Sequence, residues 1–441
     1  LWRGSLRTRD VASASNHLTR FVPGMTGRGY TDDLEEIRAD LSASCTAVFS
    51  HFPALWYERR RDDHGRLTRA DADVWAPFYE QPFARSGQGE ASDRLSKYDL
   101  DRWNSWYWSR INSFAQIADE QGVAFVHEHY LQHNIIEEGA HWIDYPWRTA
   151  NNINDLGFKE PTYMQGDKRV FMAEEFYNLD NEKLMRYHRR YINKSLSEAA
   201  HSSNTIHHIG AEYTGPLHFM KFWLDCIRNW EIKNNKDVIV ALNATHDVTE
   251  AILNHPLYER VVDVIDIRQW HYRDDGTLYA PEGGVSLAPR QYARVMDVGK
   301  TGPAEAWKVV REYRTRFPQK AVWLNNSRAA GVNWVAFVAG ASLCSLPSVQ
   351  APKFFDNALK MSPMDDVRWA ENCWSTGAAG VGYIAYTGDK QLTLDLQGDK
   401  RSYRCQLIDP NTGESIGKTI RVKSGDVIDV PAEAAVVYLY K

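Results

Sequence analysis

The sequence predicts a mixed α/β fold, a (β/α)8 TIM barrel followed by a small antiparallel β-sandwich. Short apolar runs alternate with amphipathic segments eight times, which is the pattern of βα units. The candidate helices carry apolar residues at helical spacing. From about Gly382 the pattern changes to short alternating strands separated by turn residues. Eight βα units favour a closed barrel over an open sheet.

The eight predicted strands are the apolar runs between the helices. They occupy residues 17–24, 45–52, 122–129, 204–212, 236–244, 261–270, 320–326 and 341–347. In the helix after the fourth strand, Pro216 stands at a first-turn position, and Phe219, Trp223 and Ile227 recur on one face. That face is expected to lie on the sheet, so its tryptophan is interpreted as a packing residue.

The last part of the chain predicts a second, smaller domain. Its segments from 382 to 441 alternate apolar and polar residues, and the DPNTG stretch at 409–413 is typical of a hairpin connection. No low-complexity linker precedes them. We therefore expect the barrel to occupy residues 1–375 and the sandwich to occupy residues 376–441.

Composition limits the possible partners. The net charge is −5 and 25% of the residues are charged, which leaves no basic surplus for a nucleic acid backbone. No apolar run has the length of a membrane span, and the five cysteines stand singly, without the spacing of a zinc site or a disulfide framework. The 16 tryptophans and 22 tyrosines, many in polar stretches, favour a sugar ligand, because aromatic faces beside polar groups bind sugar rings.

The loops after the strands are where a barrel of this kind builds its active site. Glu212 directly follows the fourth strand in HHIGAEYTGP, so its carboxylate is expected at the mouth of the barrel. A partly apolar setting disfavours the ionised form of a carboxyl group, which suits a proton donor near neutral pH. Glu212 is therefore the predicted general acid. The alternative is a strand-end glutamate paired with an arginine such as Arg268.

Cleavage of a glycosidic bond needs a second carboxylate, and the sequence offers several. Asp266 lies in the sixth strand at alternate spacing with Arg268, where it is either catalytic or the arginine's buried partner. Glu137 lies on the long loop after the third strand. Glu128 is a further candidate, and the strand register decides to which face of the sheet its side chain points. Asp247 is interpreted as a helix N-cap, because a glutamate follows three residues later.

Polar and aromatic side chains near the strand ends are the predicted sugar-binding residues. They combine groups that hydrogen-bond hydroxyls with rings that stack on sugars. The predicted set is His127, Glu128, His129, His133, Asn134, Trp142, Trp147, Tyr213, Arg268, Trp270, His271 and Asn325.

A metal site is the main chemical alternative. His127 and His129 are two apart on one strand and so share a side, and more histidines follow in QHNIIEEGAHWID. Against a metal, the run is interleaved with Gln132, Asn134 and Trp142, which donate to hydroxyls or stack on sugars, and no HExxH is present. We predict no metal and no cofactor. A metal-dependent hydrolase and a non-catalytic glycan-binding protein stay as alternatives.

The motifs resemble known glycoside hydrolases. The strand-four exit GAEYTGP, the strand-six exit IDIRQWHYR and the terminal sandwich resemble the (β/α)8-barrel clan with paired carboxylates. More narrowly, WRGSLRTRD, QHNIIEEGAHWIDYPWRTANNIN and APEGGVSLAPRQYAR resemble a bacterial family of polysaccharide-degrading enzymes. The tail, YTGDKQLTLDLQGD, resembles the collagen-binding-type domain that follows barrels such as apiosidases.

This resemblance implies a secreted or periplasmic enzyme that cleaves a glycosidic bond in a plant or microbial polysaccharide or oligosaccharide. In one respect the sequence departs from the clan. The clan has a nucleophilic glutamate at the end of the seventh strand, where this chain has VWLNNSR with Asn325 and Asn326. The second carboxylate then comes from another strand, or the mechanism inverts the configuration, or the activity is lost.

Overall fold

The protein is described from a computed structural model. The structure describes residues 2–3, 34–43, 46–51, 81–92, 96–130, 132, 135, 142, 145–159, 172–211, 213–284, 299–324 and 329–441. The chain divides into two compact units. The first unit is Leu1–Val262 with Pro281–Val295, and the second is Asp263–Ala280 with Met296–Lys441.

The first unit is built on a parallel sheet. Its strands are β1 (Trp2–Arg3), β2 (Val48–His51), a separate antiparallel pair of β3 (Phe83–Arg85) and β4 (Tyr98–Trp103), then β5 (Ala124–Glu128), β6 (Thr205–His208) and β7 (Ile239–Leu242). The parallel strands pair in the order β1-β2-β5-β6-β7. The helices are α1 (Leu34–Ala43), α2 (Ser105–Gln121), α3 (Ala173–Phe176), α4 (Glu182–Glu198), α5 (Leu217–Asn234), α6 (His246–Leu253) and α7 (Pro256–Glu259).

Local sequence explains where the long helices begin and end. The Asn181 side chain accepts a hydrogen bond from the Leu184 N–H at 3.0 Å, which caps the start of α4. Pro216 precedes the first turn of α5, and Asn235 ends this helix in the left-handed conformation, with φ of 49°. The predicted packing face of α5 is confirmed, because Phe219, Trp223 and Ile227 are fully buried.

The second unit begins with parallel strands and continues into antiparallel ones. It contains β8 (Val264–Asp266), the pair β9 (His271–Tyr272) and β10 (Leu278–Tyr279), α8 (Pro303–Arg316), β11 (Ala321–Trp323), α9 (Ala330–Val338) and α10 (Phe354–Ala358). Strand β11 pairs with β8, and Trp323 forms a parallel bridge with Leu343. A βα repeat therefore precedes the antiparallel part.

The antiparallel part is the predicted sandwich. Its strands are β12 (Ser362–Pro363), β13 (Cys373–Ala378), β14 (Gly382–Thr387), β15 (Gln391–Thr393), β16 (Tyr403–Ile408), β17 (Ser415–Val422), β18 (Val427–Asp429) and β19 (Ala435–Tyr440). Six form one sheet in the order β12-β13-β14-β19-β16-β17, and β15 pairs with β18. The predicted hairpin is confirmed, since the Gly413 N–H donates to the Asp409 carbonyl at 2.9 Å between β16 and β17.

Helix α9 fits closely against the sandwich within the second unit. The Trp334 indole donates to the Pro410 carbonyl at 2.8 Å. A Cβ on Gly331 would lie 2.4 Å from the Tyr386 hydroxyl oxygen, so only glycine permits this approach. On the other side of the sheet, a buried cluster that includes Tyr383, Leu392 and Leu439 forms the sandwich core. The end of the βα region is thus joined to the sandwich through packed side chains.

The predicted fold class is confirmed: the chain is a (β/α)8 barrel followed by an antiparallel β-sandwich. Seven of the eight predicted strands contain an observed strand or bridge, from β2 to Leu343. The first, at 17–24, lies outside the described residues, which instead include β1. The domain boundary at 375/376 stays a prediction, and β13 begins just before it. None of the helices in the described ranges is long and apolar enough to cross a membrane.

Candidate functional site at the exits of the third and fourth strands

Strands β5 and β6 carry the histidine-rich runs, and their register sorts the side chains onto two sides. His127 pairs with His207, and Glu128 pairs with His208. Because successive side chains of a strand point to opposite faces, His127 and His207 share one side. Glu128 and His208 lie on the other side.

The side of the histidine pair faces the helices. The Trp223 indole of α5 donates to His129 Nδ1 at 3.0 Å, and His129 Nε2 lies 3.1 Å from His207 Nδ1. On the same side, the Phe125 ring lies 6.2 Å from the Phe114 ring of α2. We call His127, His129 and His207 the helix-facing histidines.

The hydrogen bonds determine which ring nitrogen of His129 and of His207 carries the proton. An indole N–H can only donate, so His129 Nδ1 must be unprotonated and its ring proton lies on Nε2. His129 Nε2 then donates to His207 Nδ1, which places the His207 proton on Nε2 as well. Burial, followed by the neighbouring histidines, lowers the pKa of His129 well below its usual value. Burial lowers the pKa of His207 to about 3, so both rings are neutral at pH 7.

These bonds bear on the metal alternative. Both ring nitrogens of His129 are engaged, one by Trp223 and one by His207, so metal ligation by this ring would break one of the two bonds. Within the described ranges, no group of three or more histidine, cysteine or carboxylate side chains is arranged to hold a metal ion. Of the two histidines that suggested a metal, His129 is therefore hydrogen-bonded to Trp223 and His207 instead.

On the opposite side, Glu128 connects three strands. Glu128 is 1% exposed, and one carboxylate oxygen accepts from the Ser50 hydroxyl on β2 at 3.3 Å. The other oxygen accepts from the Ala211 backbone N–H at 3.0 Å. Ala211 immediately precedes Glu212 in the sequence. The carboxylate at the exit of β5 is thereby bonded to the backbone that leads into the predicted general acid.

Gly210 allows the exits of β5 and β6 to approach this closely. Its φ is +150°, and a Cβ would lie 2.1 Å from the Tyr130 carbonyl oxygen and 2.9 Å from Gln132 Nε2. Contact with a backbone atom at that distance cannot be relieved by a side-chain movement, so only glycine fits. The Gly210 N–H donates to His208 Nδ1 at 3.1 Å. The hydrogen bonds of His208 and Glu128 therefore fix the backbone at the exit of β6. Both side chains lie on the side of the sheet opposite the helix-facing histidines.

Gln132 also lies against this exit, although it was absent from the predicted binding set. It is 1% exposed, and its Oε1 accepts from the Tyr177 hydroxyl at 2.5 Å. Burial raises the pKa of Tyr177, so the hydroxyl stays protonated and donates. The Tyr177 ring lies 5.7 Å from the Tyr213 ring. The sequence signal for Gln132 was its place in the polar run after the third strand, beside residues of the predicted binding set.

Tyr213 follows Glu212 in the chain and is fully buried. Its hydroxyl donates to the Pro216 carbonyl at 2.7 Å, and a Cβ on Gly215 would lie 2.6 Å from its ring. The tyrosine is thus folded against the turn that starts α5. Its predicted contact with sugar is untested by this geometry and stays a prediction.

Trp142 and Trp147, in the segment after β5, are enclosed by aromatic side chains. The Trp147 ring stacks on His188 at 4.8 Å, and the Trp142 ring lies 5.6 Å from Phe158. His188 Nε2 donates to the Phe176 carbonyl at 3.0 Å, and its Nδ1 accepts from the Tyr130 hydroxyl at 2.9 Å. Both tryptophans are at most 2% exposed. Their assignment to sugar subsites stays a prediction.

Other predicted residues lie in the second unit. Arg268 Nε donates to both oxygens of Asp266, at 2.9 and 2.7 Å, and the Asp266 side chain is 1% exposed. The Trp270 ring packs on Tyr313 at 5.3 Å, and the His271 ring lies 5.0 Å from the Tyr279 ring. Asp266 therefore has the arginine partner that the sequence offered as its alternative role.

Asp247 differs from its predicted role as an N-cap. The N-cap of α6 is Thr245, and Asp247 lies in the first turn. Its carboxylate accepts from the Gly283 N–H at 3.2 Å and from the Thr245 hydroxyl at 2.6 Å. The helix starts two residues earlier than predicted, because the acidic side chain binds the 281–284 segment instead of the helix end.

Several predicted residues lie outside the described residues, and their roles stay predictions. They are the catalytic candidates Glu212 and Glu137 and the binding candidates His133, Asn134 and Asn325.

Comparison with one solved structure supports the barrel architecture. A glycoside hydrolase of family 5 from Bacteroides vulgatus ATCC 8482 superposes with a TM-score of 0.50 at 11% identity, over 94% of this chain and 86% of that chain. A second structure, described as a glycoside hydrolase, gives a TM-score of 0.47 at 10% identity, over 92% of this chain and 88% of its own. At these identities the similarity concerns the fold alone.

Sequence comparison gives a family without an activity. No curated protein matches the chain. One family model, described as a domain of unknown function (DUF6298), matches residues 1–361. Because this match spans most of the chain, the protein belongs to the DUF6298 family.

Proposed function

We propose that the protein is a glycoside hydrolase that cleaves a glycosidic bond in a plant or microbial polysaccharide or oligosaccharide. The fold, which it shares with a solved family 5 glycoside hydrolase, supports this function. In barrels the residues at the carboxyl ends of strands do the chemistry. We place the enzyme in the periplasm or outside the cell, where such polymers occur.

The contact between Glu128 and the Ala211 N–H carries the proposal. It ties one buried carboxylate to the residue next to Glu212, so two acidic residues belong to adjoining strand exits. Asp266 is a weaker candidate for the second carboxylate, because Arg268 already binds both of its oxygens. Glu137 stays an alternative on the sequence argument alone.

In the proposed mechanism Glu212 donates a proton to the leaving glycosidic oxygen. Glu128 either attacks the anomeric carbon or accepts a proton from the attacking water. The carboxyl separation decides between these two roles: about 5–5.5 Å leads to retention and about 6.5–9.5 Å to inversion. The donors Ser50 and Ala211 would orient the Glu128 carboxylate for either role.

The experiment is a screen of plant and bacterial polysaccharides for new reducing ends, followed by Glu212→Gln on the best substrate. Removal of a general acid should lower kcat by about 10²–10⁴-fold. The loss should be much smaller on an aryl glycoside with a good leaving group, because that group departs without a proton. A chelator in parallel assays should leave the rate unchanged. Full activity in Glu212→Gln, or loss with the chelator and recovery with zinc, would overturn the proposal.

A further inference from the structure

Gln132 is a buried amide placed at the exit of β6. Its side chain belongs to the segment after β5, and a Cβ on Gly210 would lie 2.9 Å from its Nε2. Gly210 stands two residues before Glu212. The amide nitrogen is thus held against the same short stretch of backbone that Glu128 and His208 hold.

The hydrogen bonds of Gln132 are only half complete. The Tyr177 hydroxyl occupies Oε1, which leaves the two N–H groups of Nε2 as donors. Nε2 has no acceptor anywhere in the part of the chain that the structure describes. A buried donor without a partner costs free energy, and native proteins keep very few of them. Such a donor beside a candidate active site fits an acceptor that arrives with a ligand.

Tyr177 keeps the amide in this orientation. A protonated phenol donates best to the carbonyl oxygen of the amide, so the bond to Oε1 turns the nitrogen towards Gly210. No side chain can grow from position 210 to cover the nitrogen, because a Cβ there collides with the Tyr130 carbonyl. The residue is therefore oriented by one partner, and its buried nitrogen lies against Gly210 without an acceptor among the described residues.

We propose that Gln132 Nε2 donates a hydrogen bond to a hydroxyl oxygen of the sugar bound beside Glu212, and so acts as a specificity residue. The inference rests on the proposed function, since it names a contact within that same site. A second buried donor in the same exit segment, Trp142 Nε1, likewise has no acceptor among the described residues. A sugar, which presents several hydroxyl acceptors, suits a segment with more than one such donor.

The test compares sugar binding with stability. Binding of tetrasaccharides from xylan, cellulose, arabinan and galactan is measured by calorimetry in a Glu212→Gln background, where turnover is expected to be slowed by about 10²–10⁴-fold. In this background the otherwise unchanged protein is compared with the double variant Tyr177→Phe/Gln132→Met, which removes both the donor and the bond that orients it. The double variant should bind the preferred tetrasaccharide at least about tenfold more weakly than the otherwise unchanged Glu212→Gln protein. Its thermal midpoint should be equal or higher, because an unpaired buried donor has been replaced by an apolar group.

Gln406 supplies the matched control. It is also a buried glutamine, but its Nε2 donates to the Gln350 carbonyl at 3.2 Å. Gln406→Met should therefore lower the thermal midpoint and leave sugar binding unchanged. Monodeoxy sugars add a direct readout: the sugar that lacks the contacted hydroxyl should bind the double variant and the otherwise unchanged Glu212→Gln protein equally.

The outcomes separate the two proposals. If the wild type neither binds nor cleaves any of these sugars, the proposed function and the inference both fail. If the wild type cleaves a sugar and the double variant binds it as tightly as the otherwise unchanged Glu212→Gln protein, only the role of Gln132 is overturned. A double variant with a lower thermal midpoint and unchanged binding would show that the amide is structural.

Discussion

The two sides of strand β5 differ in what their polar residues bind. On one side His129 bonds to Trp223 of a helix and to His207 of the next strand, so its hydrogen bonds hold the sheet to the helix layer. On the other side Glu128 bonds to Ser50 and to the backbone before Glu212. Neighbouring residues on one strand therefore serve different purposes. At a strand exit, the face of the sheet to which a polar side chain points is a better guide to its role than its chemical type.

The largest expected effect is on the side of Glu128. Glu128→Gln keeps the shape and one acceptor oxygen but removes the charge that a base or nucleophile needs. We expect kcat on the best substrate to fall by about 10²–10³-fold, with the thermal midpoint nearly unchanged. Initial rates and thermal unfolding measured on the same preparation check both parts.

Ser50→Ala is the graded control for this variant. It removes one of the two donors to the Glu128 carboxylate and leaves the charge in place. Its activity should lie between those of the wild type and Glu128→Gln. Wild-type kcat in Glu128→Gln would remove Glu128 from the chemistry and return the role to Glu137 or Asp266.

The next effect, on the helix-facing side, is a loss of stability. His129→Leu leaves the Trp223 N–H and His207 Nδ1 without their partner, at about 1–3 kcal/mol for each buried group. We expect the free energy of unfolding to fall by roughly 3 kcal/mol in urea denaturation. Trp223→Phe removes only the donor and should cost less. If His129→Leu lost activity while its stability stayed normal, the division between the two sides would be wrong.

The smallest effect, counted per ring and per pH unit, is a pH dependence of stability. The folded-state pKa of His188 and of His207 is lowered to about 3 by burial, against about 6.5 in the unfolded chain. Between these values the unfolded state binds more protons, so this stability is present above pH 6.5 and is lost as the pH falls towards 3. Each ring should contribute about 1.4 kcal/mol per pH unit.

Chemical denaturation between pH 6.5 and 5 measures this slope, in a window where most carboxylates stay ionised. His207→Gln should reduce this slope by the contribution of one histidine ring, about 1.4 kcal/mol per pH unit. A free energy of unfolding that is flat over this window would show that His188 and His207 are protonated or solvated in the native protein.

Much of the barrel could be predicted because its periodicity is local. The strands at 124–128 and 205–208 and the hairpin at 409–413 follow from apolar spacing and turn residues. The interpretation of Trp223 as a packing residue is also confirmed, although its bond to His129 could not be foreseen. That bond joins residues 94 positions apart. The contacts of the Gln132 amide could not be foreseen for the same reason, since Tyr177 and Gly210 are distant in sequence.

The sequence by itself determined that His127 and His129 share a side and that Glu128 takes the other, because strand side chains alternate. Only the tertiary structure decided which side meets the helices. Both faces of a barrel strand are covered, one by helices and one by the other strands, so hydrophobicity does not distinguish them. Pairing with β6 and contact with α5 resolve the choice, because the donor of Trp223 can reach only one of the two faces.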